Sequence, residues 1–145
     1  MANIDREYGS DRGDAQSIER AVPIDAECVC ESLVGVGDAA VEHIRTEGRG
    51  LWGLVNNAGV NVVGPLIEFD DEDFDFLFDV NVKGVFSVTK AFAPLIIESR
   101  GRIVNISSVS GIGTGAAYGP YSMTKHAIEA FTDALKEELE VTGDL

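Results

Sequence analysis

Hydrophobic patterning is absent at the start of the chain and grows sharper toward its end. Residues 1–20 show no period; charges and the turn formers Gly9, Ser10, Gly13 and Asp14 dominate. Residues 21–24 suit a short strand ending at Asp25, and residues 26–37 give no clear period, so no element is assigned to them. Residues 1–37 therefore read as a poorly specified leader, and 38–145 as the organised domain. A helix is predicted over 38–46, closed by Gly48 and Gly50. The apolar run 51–55, which contains Trp52, stops at Asn56-Asn57-Ala58-Gly59 and predicts a buried strand. The acidic cluster Asp70-Asp71-Glu72-Asp73 then suits the positive end of a helix dipole. Behind it Phe74, Leu77, Phe78, Val82, Val85, Phe86, Phe92 and Ile96 recur at helical spacing. Pro94 predicts a kinked or frayed last turn. Residues 102–107, with Ile103, Val104 and Ile106, predict a second buried strand. After a loop containing Gly111, Gly113 and Gly115, Pro120 suits the first turn of a helix running to about Val141.

Strand, helix, strand, helix with continuous apolar strands predicts an α/β fold built from parallel βαβ units. In such sheets ligands sit beyond the carboxyl ends of the strands. Here those ends are residues 56–59 and 107–108, which carry small polar residues and glycine where bulk would obstruct a ligand.

Composition adds limits. The 145 residues, 45% hydrophobic with 16 glycines, fit one globular domain. The net charge of −14, from 25 acidic and 11 basic residues, opposes a phosphate backbone and argues against a nucleic-acid partner. Such an acid surplus is best tolerated where salt screens it. No run approaches the roughly 20 unbroken apolar residues of a membrane span, and residues 1–20 do not resemble a signal peptide. A cytoplasmic protein without membrane association is expected. Cys28 and Cys30 form a Cys-x-Cys pair without companion ligands, and His43 and His126 are isolated, so no metal site is expected.

The candidate chemistry lies in the second half. Tyr121 and Lys125, four apart, share one face of the last helix. A free phenol titrates near pH 10, and a neighbouring cation favours its phenolate, which would make it usable as an acid or base. Tyr118 has Ser122 at the same spacing and lacks that support. Ser108, just past the second strand, can donate to a carbonyl oxygen, or it can be an ordinary turn serine. Asn81 falls inside the apolar stripe, where an unpartnered amide costs about 1–3 kcal/mol. It is therefore satisfied by backbone or recruited by a site and its water. Gly84 weakens the same helix by about 1 kcal/mol relative to alanine, so two residues break the local rule together.

Four motifs resemble the short-chain dehydrogenase/reductase family: Asn56-Asn57-Ala58-Gly59, Asn81-Val82-Lys83-Gly84, Ile106-Ser107-Ser108 and Tyr121-Ser122-Met123-Thr124-Lys125. Their order and separations are similar to the family pattern across residues 51–145. The flanking text of residues 50–55 and 120–125 looks like the branch holding retinol, hydroxysteroid and 3-hydroxybutyrate dehydrogenases. The resemblance implies part of a Rossmann fold, a doubly wound parallel sheet, using NAD or NADP to interconvert a secondary alcohol and a ketone. It implies a catalytic set of Asn81, Ser108, Tyr121 and Lys125, with Tyr121 as general acid or base and Ser108 orienting the substrate oxygen. Lys125 would hold the nicotinamide ribose and favour the Tyr121 phenolate, and Asn81 would hold a water linking Lys125 to solvent. Asn57, Ala58 and Gly59 would line the adenosine side, joined by Asp25 if it ends the adenine-contacting strand. It also implies assembly of like chains through the two long helices. Sugar-nucleotide epimerases share a Tyr-Lys pair, but residues 56–59 argue against that alternative.

The departures from the family are large. No Gly-x-x-x-Gly-x-Gly turn precedes residue 51, and the first βα unit and the C-terminal strands are not recognisable. The main expectation is an oxidoreductase read from an incomplete chain. The alternative is a catalytically silent fragment that associates with full-length relatives.

Overall fold

The computed structural model describes residues 26–142, so the leader 1–20, the strand expected at 21–24 and Asp25 lie outside the described residues. Helix α1 (Ala26–Glu47) leads to strand β1 (Gly53–Asn56). Helix α2 (Asp71–Phe78), a π-helical turn (Asp79–Gly84) and helix α3 (Val85–Ser99) then form one helical run. Strand β2 (Arg102–Asn105) and helix α4 (Gly119–Thr142) complete the described chain. The two strands are parallel, with Gly53 opposite Arg102 and Asn56 opposite Asn105.

Helix α1 starts at Ala26, although the sequence pattern supports a helix only from Asp38. Interior Gly35 and Gly37 and β-branched Val29, Val34 and Val36 blur the period. Gly37 is buried, and a Cβ there would stand 3.5 Å from the Cβ of Ala91, an ordinary contact distance that places α1 against α3. The predicted glycine stop is present, with Gly48 and Gly50 both at positive φ (66° and 71°).

Helix α2 begins as the acidic cluster requires: Asp70 caps it by accepting the Glu72 amide at 2.8 Å, with three acids in the first turn. Phe74 and Phe78 stack one turn apart with centroids at 4.6 Å. The run Asp71–Ser99 is long and apolar enough to cross a membrane by length and composition, and 28% of its apolar 18-residue window is buried within the fold. Helix α3 continues past Pro94 to Ser99, so the expected fraying does not occur. Pro94 is on the exposed side, where water can satisfy the carbonyl its missing N–H leaves free. The helix closes at Arg100, left-handed at φ 50°, with the Arg100 and Gly101 amides returning to the carbonyls of Ile97 and Ile96.

Both strands are shorter than expected, at 53–56 and 102–105 in place of 51–55 and 102–107, and neither is fully buried. Asn56 reaches α3 and Asn105 reaches α4, so the face holding Leu54, Asn56, Ile103 and Asn105 carries the helices. On the opposite face Val55 is 60% and Val104 47% exposed. A parallel strand is buried only when both faces are covered, and among the described residues only one face is. Leu77, Val85, Leu95, Ile96 and Ile128 form the core between the helices and that face.

Candidate functional site

Four polar side chains cross the strand ends in series. Asn56 Nδ2 donates to Thr89 Oγ1 of α3 and to Asn105 Oδ1, both at 2.8 Å. Asn105 Nδ2 donates to Thr132 Oγ1 of α4 at 2.9 Å, and that hydroxyl donates to the Ile128 carbonyl at 2.7 Å. Amides placed in this way need partners, and here Asn105 Oδ1 serves Asn56 while the Thr89 and Thr132 hydroxyls accept from the two Nδ2 groups. The chain of bonds ties α3, β1, β2 and α4 together directly beneath the carboxyl ends of the strands. One residue further on, the Ile106 amide bonds to the Asn56 carbonyl at 2.9 Å, which fixes where the Ile106 carbonyl points.

That carbonyl accepts the Lys125 ammonium at 3.0 Å. Lys125 is only 6% exposed, and its Nζ lies 5.8 Å from the centre of the Tyr121 ring. A buried ammonium must be hydrogen-bonded, and one bond to a carbonyl leaves two of its three N–H groups for other partners. Tyr121 is half-buried on the same helical face, one turn earlier, as the four-residue spacing requires.

Asn81 is 1% exposed and bonded to protein at both ends of its amide. Its Oδ1 accepts the Val60 amide at 2.8 Å, and its Nδ2 donates to the Val60 carbonyl at 2.9 Å and to Thr124 Oγ1 at 3.1 Å. The π-helical turn, with its extra residue, carries Asn81 at its inward face; such turns recur at functional sites. Gly84 ends the same turn, so the two rule-breaking residues share one irregularity. A Cβ on Gly59 would stand 3.3 Å from Asn81 Oδ1 and 3.6 Å from Lys125 Nζ. Glycine thus keeps open the space where the strand-end loop, the π turn and the Tyr-Lys helix meet.

Ser108 stands at the end of the β2 segment and caps the short 3-10 turn Val109–Gly111, its Oγ accepting the Ser110 amide at 3.1 Å. The turn role is real, and the hydroxyl hydrogen is still available to a ligand. Asn57 and Ala58 are exposed at the strand end. With Gly59 they border a cleft of about 480 Å³ whose far wall includes Val80, Gly84 and Val88. The structure therefore brings Gly59, Asn81, Tyr121 and Lys125 together and places Asn57, Ala58 and Ser108 on the adjoining strand ends. Three participants escaped sequence reasoning: Thr124, the Val60 backbone and the Ile106 carbonyl. Thr124 lies within the quoted Tyr121–Lys125 text, while backbone partners leave no trace in side-chain identity. Ser122 Oγ is buried without a hydrogen-bond partner. Among the described residues no group of three or more His, Cys, Asp or Glu could hold a metal ion.

Fold and site together define an α/β protein with parallel strands, the frame of Rossmann-like folds, and its site at their carboxyl ends. A family model described as short chain dehydrogenase matches residues 35–143, and the chain belongs to that family. It is 44% identical over 110 residues to the mitochondrial D-beta-hydroxybutyrate dehydrogenase of Bos taurus, covering 73% of this chain and 32% of the relative. It is 42% identical over 114 residues to retinol dehydrogenase 16 of Mus musculus, covering 78% of this chain and 35% of the relative. Among solved structures, a gluconate 5-dehydrogenase from Burkholderia cenocepacia in complex with NADP and tartrate aligns with a TM-score of 0.68 at 31% identity. That alignment covers 73% of this chain and 43% of the other. The chain thus spans about a third of the length of the curated relatives it matches.

Proposed function

We propose that this chain carries the acid–base centre of an NAD- or NADP-dependent oxidoreductase that interconverts a secondary alcohol and a ketone. The observation that carries the reading is the nearly buried Lys125 ammonium, held by the Ile106 carbonyl beside the Tyr121 ring and facing the space that Gly59 keeps open. The residues fit a flat dinucleotide: residues 57–59 are exposed, and a side chain at Gly59 would fill the gap toward Asn81 and Lys125. The named complex of a relative with NADP supports the same choice.

In the proposed reaction Tyr121 Oη gives a proton to the carbonyl oxygen during reduction and takes it from the hydroxyl during oxidation. Lys125 stabilises the phenolate left behind, and its two remaining N–H groups are available to ribose hydroxyls. Ser108 donates its hydroxyl hydrogen to the substrate oxygen. Asn81 fixes the strip at residues 59–60 against the catalytic helix, and one Oδ1 lone pair remains to hold a water near Lys125. Asn57, Ala58 and Gly59 line the nucleotide. When bound, the nicotinamide supplies or accepts the hydride.

Like chains would assemble through the Asp71–Ser99 run and α4, between which Phe78, Val82, Phe86, Ile128 and Phe131 line an apolar recess of about 360 Å³. A cytoplasmic location without stable membrane association belongs to the proposal as well; cell fractionation tests it. The bare Val55–Val104 face favours a second reading, a silent chain that docks on a full-length relative.

Titration with NADH and NADPH, followed by nucleotide fluorescence, should show weak binding by this chain, in which no glycine-rich phosphate turn is recognisable; tight binding at physiological concentrations would contradict that expectation. In a completed enzyme Tyr121→Phe should lose most hydride transfer, and turnover close to the parent's would refute the acid–base role and leave the silent chain as the better reading.

A further inference from the structure

We propose that Thr124 is a positioning residue whose hydroxyl fixes the orientation of the Asn81 carboxamide and so joins the nucleotide-side strip at residues 59–60 to the Tyr121–Lys125 helix. Thr124 is fully buried. Its Oγ1 donates to the Tyr121 carbonyl at 2.7 Å and accepts from Asn81 Nδ2 at 3.1 Å. A hydroxyl has a single hydrogen, and here it is committed to the helix carbonyl. Toward Asn81 the oxygen can therefore only accept.

That restriction reinforces the amide orientation that the Val60 N–H and carbonyl also require. With Nδ2 toward Thr124, Asn81 Oδ1 meets the Val60 N–H and the second Nδ2 hydrogen meets the Val60 carbonyl, so all three contacts are satisfied. The flipped amide would set Oδ1 against the Thr124 lone pairs and an N–H against the Val60 N–H. The connected path is Val60, Asn81, Thr124, Tyr121. It spans the gap in which a Cβ on Gly59 would stand 3.6 Å from Lys125 Nζ. The consequence for catalysis rests on the acid–base reading above; the tie itself does not.

The test separates the hydroxyl from the volume of the side chain. Valine matches threonine in shape and lacks the hydroxyl, whereas serine keeps the hydroxyl and loses the methyl. Native-state amide exchange of Val60 is measured by NMR in the wild-type chain, Thr124→Val and Thr124→Ser, with the Ile106 amide of the strand ladder as internal reference. Loss of one buried hydrogen bond should speed Val60 exchange about tenfold relative to Ile106 in Thr124→Val, and by no more than about twofold in Thr124→Ser. A Val60 rate that does not move in Thr124→Val, or a larger effect in Thr124→Ser, would overturn the proposal, because packing alone predicts that order. If Thr124→Val does not fold, the wild-type chain decides. Both Asn81 Nδ2 protons should exchange more slowly than those of exposed Asn57, and one exchanging at the Asn57 rate would overturn it. None of these readouts uses nucleotide or turnover, so their failure is distinct from failure of the oxidoreductase reading.

Discussion

Truncating Asn81 to alanine removes the partners of the Val60 amide, the Val60 carbonyl and the Thr124 hydroxyl in one step. A typical buried hydrogen bond contributes about 0.5–1.5 kcal/mol net, so three bonds bound the loss at about 1.5–4.5 kcal/mol. Val60 is half-buried, and water entering from that side recovers part of the cost for its two groups. Thr124 is fully enclosed and recovers little. A loss of about 2–3 kcal/mol follows, which at a urea slope of about 1–3 kcal/mol/M lowers the denaturation midpoint by about 0.7–3 M.

The assay is urea unfolding followed by far-ultraviolet circular dichroism, which reads the helices that the network joins. Asn81→Asp sharpens it. A carboxylate can still accept the Val60 amide but has no hydrogen for the Val60 carbonyl or Thr124, and it places a charge where almost no solvent reaches. Burial raises the folded-state pKa of an introduced carboxyl, so its penalty is largest above that pKa and shrinks as pH falls through it. Asn81→Asp should accordingly gain stability relative to the parent on acidification, and Asn81→Ala should not. A midpoint change below about 0.3 M in Asn81→Ala, or an Asn81→Asp penalty independent of pH, would show that the network is not holding the fold.

Two more tests follow. Gly101→Ala should destabilise the chain by about 1–3 kcal/mol in the same urea assay, since its Cβ would lie 2.7 Å from the Leu51 carbonyl oxygen and 2.9 Å from Trp52 backbone atoms that cannot swing aside; an unchanged midpoint would refute the close approach. Raising salt from about 0.1 M to 1 M contracts the screening length from about 10 Å to 3 Å, and with 25 acids against 11 basic residues the melting temperature should rise. The ion pairs Lys83–Asp79 and Lys136–Glu140 are exposed and contribute little to oppose that rise, so a flat salt series would show that the surplus charge is of no consequence to stability.

What could be read from the residues depended on how local the cause was. The acidic cap of α2, the glycine stop after α1 and the four-residue Tyr121–Lys125 spacing are set within one turn of helix, and each is present. Asn81 was legible because it violates a pattern: an amide in an apolar stripe must have a reason, and the reason is the Val60 backbone with Thr124. The onset of α1 was hidden because Gly35 and Gly37 carry low helix propensity and blur the period, while the packing of Gly37 beside Ala91 is tertiary. Burial of Val55 and Val104 was expected from an apolar run, yet a run reports only what a strand can cover, and the cover must come from elements across the sheet. The anchoring of Val60 could not be anticipated at all, since Asn81 engages backbone atoms common to every residue.

These contrasts bear on how the site is held. A two-stranded parallel sheet with one bare face gives little stability of its own, because it buries apolar surface on one side only. The site nonetheless draws on four segments, and alongside the backbone ladder of β1 and β2 they are joined by side-chain hydrogen bonds: Asn56 to Thr89 and Asn105, Asn105 to Thr132, Asn81 to Val60 and Thr124, Lys125 to Ile106. Directional bonds specify geometry more narrowly than apolar contacts of the same free energy, since they lose strength steeply with angle and distance. Apolar packing of Leu77, Ile96 and Ile128 therefore sets whether the helices assemble, while the amide and hydroxyl network sets where Tyr121 and Lys125 stand relative to Gly59. A change that spares the core and breaks one of those bonds should leave a folded chain with a displaced site, which makes Thr124 and Asn105 more informative targets than any core residue.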